Sequence, residues 1–281
     1  MNGRRVVIIT GCSSGFGYLT AKLLADHGYR VYAGVRKTKD LNVFKETESR
    51  DNPKTFLLDV TWTQKRINRI VQSIENKEEQ IDVLINNAGF GFLGTVGSFS
   101  DKEIREQFET NVFGLFKVTK AVLPGIERWR KGLIINVSSS AGLFTSAYYG
   151  VYSASKFAVE ALTTALRAEE SLYGIHVVSV NPGSFETKFW DNEKFPKAVG
   201  DLDDSPASRL ARRIKDLIKQ HAKRRGNPLV FTKKVKEIIE TRNPRKNYLI
   251  GWDAVFLYWI SRFFPQAILD WLVKRVVKRL A

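Results

Sequence analysis

The chain has 281 residues, 43% of them hydrophobic and 26% charged, with one cysteine and a formal net charge of +16. That length suits one large α/β domain or two small ones, either with a substantial core, and the composition excludes a disordered chain. The lone Cys12 excludes an internal disulfide framework, and no Cys/His cluster has the spacing of a zinc site, so no metal is expected.

Taken in chain order, Arg5–Thr10 predicts a first strand ending at Gly11. Its apolar part, Val6 to Ile9, is too short for the core of a secretory leader, and a cytoplasmic setting is expected. Leu19, Leu23 and Leu24 recur at helical spacing, Gly28 closes that helix, and Arg30–Val35 predicts the second strand. Further strands are predicted at Thr55–Leu58, Ile81–Ile85, Leu133–Val137, Ile175–Val180 and Tyr248–Ile250. Helical patterns lie between them, around Ile67–Ile74, Ile104–Leu123 and Val151–Leu172. Strands apolar throughout, alternating with helices, argue for an α/β doubly wound parallel sheet of the Rossmann type, about seven strands wide, with a helical C-terminal extension. Residues 1–281 are expected to form one such domain. Within it, 184–245 supplies a substrate loop and basic helices, and 252–281 an amphipathic basic segment. Ser184–Pro206 is polar and aromatic without a period, as a loop over a pocket would be, and Ser205-Pro206 is a start signal for the helix after it.

The charge is uneven. Ser205–Ala281 carries 19 Lys/Arg against 5 Asp/Glu, whereas Met1–Asp204 carries 26 against 24. The C-terminal part therefore suits an anionic partner. Between Gln266 and Leu280, Ile268, Leu269, Trp271, Leu272, Val276 and Leu280 recur at helical spacing, and Lys274, Arg275, Lys278 and Arg279 gather at the far end. Two readings stay open: a helix lying on an anionic membrane, on its cytoplasmic face, or a terminal helix packed on its own domain, its cations answering the helix dipole. Nucleic acid is not expected, because no recognisable binding module accompanies the charge. The longest unbroken apolar stretch, Ala254–Ile260, is too short to span a bilayer.

The chemistry begins after the first strand, at Thr10-Gly11-Cys12-Ser13-Ser14-Gly15-Phe16-Gly17. Glycines there let the backbone turn tightly and approach a pyrophosphate, which the exposed N–H groups of a helix start can bind. A tight structural turn is the alternative. The second strand ends Gly34-Val35-Arg36-Lys37, with no acid before Asp40. NAD sites place a carboxylate there for the ribose 2′-hydroxyl, and NADP sites place cations there for a 2′-phosphate, so NADP(H) is favoured over NAD(H).

Tyr152 and Lys156, at i and i+4, project from one helix face and put an ammonium beside a phenol. A phenol titrates near pH 10 in isolation, and a neighbouring cation favours its ionised form. Such a tyrosine can protonate an alkoxide as hydride reaches a carbonyl, or deprotonate an alcohol in reverse. The spacing recurs at Tyr18 and Lys22, which read as a solvated face. Context separates the pairs: Tyr152 follows the fifth strand, whose C-terminal end carries Ser138-Ser139-Ser140, at the edge where open parallel sheets gather catalytic groups.

In these motifs the sequence resembles the short-chain dehydrogenase/reductase family over about Arg4 to Thr187, and more faintly over Asn243–Gly251. Thr10–Gly17 looks like the cofactor loop, Asn86-Asn87-Ala88-Gly89 like the fourth-strand motif, and Asn111 with Gly114 like the mid-helix asparagine. Ser139 stands thirteen residues before Tyr152, as the family's substrate-polarising serine does. The resemblance implies that Tyr152 is the general acid/base and that Lys156 binds the nicotinamide ribose and lowers the tyrosine pKa. Ser139 would hydrogen-bond the substrate oxygen, and Asn111 would hold a water linking Lys156 to solvent. Gly11, Ser13, Ser14, Gly15, Phe16 and Gly17 would hold the cofactor, with Ser14, Arg36 and Lys37 at the 2′-phosphate and Asp59 and Val60 at adenine. Asn87, Ala88 and Gly89 would join them, and Pro182, Gly183 and Thr187 would meet the nicotinamide carboxamide. A homodimer or homotetramer on the helices near Ile104–Leu123 and Val151–Leu172 is implied as well.

The branch most resembled contains 17β-hydroxysteroid and retinol dehydrogenases. Phe90, Phe92, Phe144, Tyr148, Tyr149, Phe185, Phe189 and Trp190 are candidates for a pocket wall suited to a bulky lipophilic carbonyl or alcohol, or they are ordinary core. The rival functional reading is an NADP(H)-binding membrane sensor or scaffold with negligible turnover, which would not need a proton donor at Tyr152.

Overall fold

Val6-Val7-Ile8-Ile9 has no polar residue to turn toward water, and in the fold both of its faces are covered. The computed structural model describes residues 3–45, 51–190, 194–196, 206–220 and 225–280. Seven strands, β1 (Val6–Ile9), β2 (Arg30–Val35), β3 (Lys54–Leu57), β4 (Val83–Asn86), β5 (Gly132–Val137), β6 (Ile175–Pro182) and β7 (Asn247–Ile250), form one sheet in the order β3-β2-β1-β4-β5-β6-β7. Every pairing is parallel. Successive residues feed opposite cores, as the period of two requires. Val7, Ile9, Val83, Ile85 and Ile135 pack beneath α1 (Gly15–Asp26) and α7 (Pro228–Glu240). Val6, Ile8, Leu84 and Ile134 pack beneath α2 (Gln64–Glu78) and α4 (Leu115–Trp129).

The order reverses between β1 and β4, and a cleft opens there beyond the C-terminal ends of the strands. Thr10 and Asn87 fasten its floor. Thr10 Oγ1 accepts from the main-chain N–H groups of Asn87 and Ala88, at 3.0 Å each, and Asn87 Nδ2 donates to Thr10 O and Gly11 O at 3.0 and 3.1 Å. Opposite, α5 (Gly150–Glu170) is fixed through a buried polar ladder. Asn86 Nδ2 donates to Asn136 Oδ1 at 2.9 Å, and Asn136 Nδ2 donates to Thr163 Oγ1 at 2.9 Å.

The helix expected over Ile104–Leu123 is three pieces. α3 (Asp101–Phe108) starts at a capping box of Ser100 and Glu103, a π-helical turn covers Glu109–Gly114, and α4 follows. The wider turn aims Asn111 inward, where Nδ2 donates to Phe90 O at 3.0 Å and to Ser155 Oγ at 3.1 Å. β6 runs two residues beyond its expected end because Asn181 and Pro182 pair with Leu249 and Ile250 of β7. After α6 (Pro206–Gln220) and α7 come α8 (Trp252–Phe263) and α9 (Gln266–Leu280). Of the expected loop Ser184–Pro206, residues 191–193 and 197–205 lie outside the described residues, as does the side chain of Leu280.

Gly17 holds α1 against the floor of the cleft. A Cβ there would stand 2.4 Å from Gly11 O and 2.5 Å from Asn87 Nδ2, both fixed by the hydrogen bonds above. Gly17→Ala is expected to destabilise the protein by about 1–3 kcal/mol, the ordinary penalty of overpacking. Thermal unfolding checks this: a Tm equal to the wild type would show that the loop gives way freely.

Candidate active site

The cleft measures about 590 Å³, and nearly every expected site residue borders it. One end is complementary to a phosphate in its chemistry. Gly11 turns into the left-handed region at φ +72, and a Cβ there would stand 2.8 Å from Ala88 Cα. Gly15, at φ +59, faces Thr187 across the cleft, so a side chain there would fill the space between them. The first turn of α1 carries no acid, and the hydroxyl of its N-cap, Ser14, makes no capping hydrogen bond. Its N–H groups thus present the positive end of a helix dipole to the cleft. Ser13, Ser14 and Phe16 border this end, and Phe16 stacks on Phe231 with ring centres 3.9 Å apart. Arg36 and Lys37 stand exposed at the rim where β2 ends. Asp59 and Val60 form the facing wall, with the Asp59 carboxylate accepting from Thr61 N and Thr61 Oγ1 at 2.9 and 2.8 Å.

Tyr152, Ser139 and Lys156 all border the cleft. α5 places Tyr152 one turn before Lys156, and the Lys156 ammonium lies 5.9 Å from the Tyr152 ring centre. Its Nζ donates to Val137 O at 3.0 Å. Burial pulls the Lys156 pKa down to about 8, and the charge of Glu160, one helical turn further on, pushes it back up. Ser139 opens a short 3-10 turn and accepts from Ala141 N at 3.1 Å. Two more hydroxyls on the wall, of Ser138 and Ser153, have no hydrogen-bond partner among the described residues.

Asn87, Ala88 and Gly89 border the floor, and Pro182, Gly183 and Thr187 the far side. Beyond them the wall is aromatic and apolar, built from Phe90, Phe144, Tyr149, Phe185, Phe189 and Trp190. The Phe189 ring lies 5.8 Å from that of Tyr152.

Four expected residues are not wall residues. Phe92 is 3% exposed and packs edge-on against Phe90 and Phe99, behind the wall, because its main-chain N–H is held by Gln107 Oε1 at 2.7 Å. Tyr148 joins a small core with Leu93 and Ala211. Gly17 serves packing, as above. Asn111 is buried behind the floor, where its Oδ1 accepts from Phe90 N at 3.1 Å. A Cβ on Gly89 would come within 3.2 Å of Asn111 Oδ1 and 3.7 Å of Lys156 Nζ, so Gly89 is the gap between the two.

Three contributors escaped the sequence reading. Glu160 accepts from Ser179 Oγ and Asn181 Nδ2, at 2.5 Å each, and so ties α5 to the end of β6. Asp253 accepts from Ser184 N at 2.6 Å and touches Gly183, where a Cβ would stand 2.0 Å from Asp253 Oδ1. Lys194 reaches the cleft with its ammonium 4.7 Å above the Phe90 ring and pairs with Glu106. Glu160 had a signal, lying one turn past Lys156 on the same face. Asp253 and Lys194 had none, since long-range packing brings them in.

Comparison with known proteins fits this geometry. The family model described as short chain dehydrogenase matches residues 5–197. A 3-ketodihydrosphingosine reductase of Bacteroides thetaiotaomicron is 36% identical over 88% of each chain. A 17-beta-hydroxysteroid dehydrogenase type 6 of Bos taurus is 32% identical over 96% of this chain and 88% of its own. Among solved structures, a short-chain dehydrogenase of Streptomyces avermitilis superposes with a TM-score of 0.83 at 27% identity, covering 99% of this chain and 98% of its own. A variant actinorhodin polyketide ketoreductase with NADPH gives 0.72 at 27% identity, over 89% and 97%. The chain belongs to the short-chain dehydrogenase/reductase family, in the branch that includes 17β-hydroxysteroid and retinol dehydrogenases.

Proposed function

We propose that this oxidoreductase uses NADP(H) and interconverts a lipophilic carbonyl and its alcohol, of the steroid, retinoid or long-chain lipid kind. One observation carries the reading. A single cleft runs from two cations and a helix N-terminus, past Ser139, Tyr152 and Lys156, to an aromatic wall. Relatives named for 3-ketodihydrosphingosine and 17β-hydroxysteroids, and a neighbour with NADPH, support it.

The cleft suits a dinucleotide phosphate, because its glycines leave backbone room and its rim offers cations with no carboxylate at the end of β2. Ser13 and the start of α1 hold the pyrophosphate, Ser14, Arg36 and Lys37 the 2′-phosphate, and Asp59 and Val60 flank the adenine. Lys156 takes the ribose, and Pro182, Gly183 and Thr187 take the nicotinamide, with Asn87, Ala88 and Gly89 beneath. Bound there, the nicotinamide supplies hydride to a carbonyl or takes it from an alcohol. Ser139 donates a hydrogen bond to the substrate oxygen. Tyr152 gives that oxygen its proton during reduction and takes it back during oxidation. The Lys156 ammonium favours the phenolate by its charge, and Asn111 holds the main chain of Phe90 beside it. Phe144, Tyr149, Phe185 and Phe189 bury the rest of the substrate.

Turnover of retinal, ketosteroids and long-chain ketones with NADPH and with NADH tests the assignment. Tyr152→Phe is expected to lower kcat by about 10²–10⁴-fold while NADPH still quenches protein fluorescence as in the wild type. Retained turnover would remove Tyr152 from the proton path. Absence of turnover in both directions with every substrate would leave the sensor reading.

Arg36→Ala is expected to raise KM for NADPH about tenfold or more and to leave KM for NADH nearly unchanged, because only the former carries a phosphate for the guanidinium to meet. Equal effects on both cofactors would overturn that role.

Glu160 is a positioning residue. Its negative charge raises the Lys156 pKa against burial, so without it the ammonium is lost at lower pH. Glu160→Gln should therefore move the basic limb of the kcat/KM profile to lower pH. A fall in rate with an unmoved limb would mean that Glu160 serves only to brace α5 on β6.

A further inference from the structure

Of the two C-terminal helices, α8 shares one flank with the cleft and leaves another bare, while α9 packs against α6. Asp253 and Leu257 of α8 border the cleft, and Ala254 is buried. Along the same helix, Trp252, Phe256, Trp259 and Phe263 follow one another at intervals of four, three and four residues, a single stripe on a helical wheel. They are 76%, 56%, 50% and 71% exposed, and Phe264 continues the stripe past the end of the helix at 52%. Trp259 and Phe263 stack on each other at 5.1 Å, covering one another instead of meeting the core.

In α9 the two readings of the sequence divide between two faces. Leu269 is buried, with Val273 and Val277 half-buried on its side, whereas Ile268, Trp271, Leu272 and Val276 are exposed. Arg275 lies over the Trp271 ring at 5.1 Å. Residues 252–280 hold five cations, Arg262, Lys274, Arg275, Lys278 and Arg279, all exposed, and two acids, Asp253 and Asp270. No helix among the described residues is long and apolar enough to cross a membrane.

We propose that the exposed faces of α8 and α9 dock the protein on an anionic lipid surface, with the aromatic stripe of α8 at the headgroup level and the cations of α9 on the lipid phosphates. Trp and Phe on one face with Lys and Arg beside them is the chemistry of a helix lying in the interface. A second copy of this face would bring two strongly basic regions together, which opposes self-pairing. Nucleic acid would find the cations but would leave a continuous ridge of indoles and phenyls in water. The docked side adjoins the mouth of the cleft through Leu257. Delivery of a substrate from the lipid rests on the reductase reading; the docking does not.

Flotation of the full chain with vesicles tests it. With phosphatidylcholine containing about 30% phosphatidylglycerol, most of the protein is expected to float, and with phosphatidylcholine alone most is expected to stay below. Trp252→Ser with Phe256→Ser and Trp259→Ser should lower partitioning about tenfold or more, as should Lys274→Glu with Arg275→Glu and Lys278→Glu. These residues lie off the cleft wall, so NADPH binding followed by fluorescence serves as the control for folding. Failure of the wild type to float on anionic vesicles would overturn the proposal, as would flotation unchanged by the α8 substitutions. So would a dimer, seen by sedimentation, that the α8 substitutions abolish in a protein that never floats, or binding to duplex DNA in place of vesicles. Flotation requires no turnover, so it stands or falls separately from the catalytic assignment.

Discussion

A lysine ammonium held out of water is the constraint on which the cleft depends. Burial pulls the Lys156 pKa down to about 8 even with the charge of Glu160 pushing it back up. Polar contacts limit the cost of that burial. Val137 O accepts from the ammonium directly. The Glu160 carboxylate adds its field from one turn away, and it is itself held by Ser179 and Asn181 at the end of β6. Since Val137 ends β5 and Asn181 lies near the end of β6, the position of α5 is set by the two strands beneath it. The ladder from Asn86 through Asn136 to Thr163 fixes the same helix from below. Tyr152 therefore reaches the cleft on a helix gripped by three strands.

The opposite wall is governed by space. At the reversal of strand order, Thr10 and Asn87 exchange hydrogen bonds across β1 and β4, and the glycine loop folds down onto them. Side chains at Gly11 or Gly17 would collide with atoms that those bonds hold still. A loop this close to the floor brings main-chain N–H groups to the cleft beside the side chains of Ser13, Ser14 and Phe16. The far side is closed by a side chain, the Lys194 ammonium lying over the rings of Phe90 and Phe92.

Much of this was legible in the chain because the sheet is covered on both faces. Val6-Val7-Ile8-Ile9 is apolar at every position, and β4, β5 and β6 carry apolar residues on both faces, so these strands stand out without a partner, and their alternation with helices argues for a parallel order. Site residues at strand ends, such as Ser139, Asn87 and Pro182, inherit that legibility. The π-helical turn at Glu109–Gly114 did not show, because widening a helix by one residue leaves its apolar pattern nearly intact. Phe90 and Phe92 could not be told apart either. Composition offers two phenylalanines in one loop, and the bonds that Asn111 and Gln107 make to the main chain of Phe90 and Phe92 turn one to the cleft and the other to the core. Asp253 was invisible because its partners, Gly183 and Ser184, lie about seventy residues away.

That last contact links the interior to the surface. Asp253 stands in the first turn of α8, hydrogen-bonded to Ser184 N and pressed against Gly183, at a spot where any residue larger than glycine would collide with it. Gly251, just before the helix, turns at φ +102 and has the same carboxylate 2.6 Å from where a Cβ would stand, so the entry to α8 tolerates little displacement. Trp252 and Phe256 flank Asp253 on that helix and point to solvent. Whatever holds the exposed stripe also holds, through one turn of helix and one carboxylate, the segment Pro182–Gly183 on the wall of the cleft. α8 is thus at once an outer face and a strut of the wall, and its two sides cannot be positioned independently.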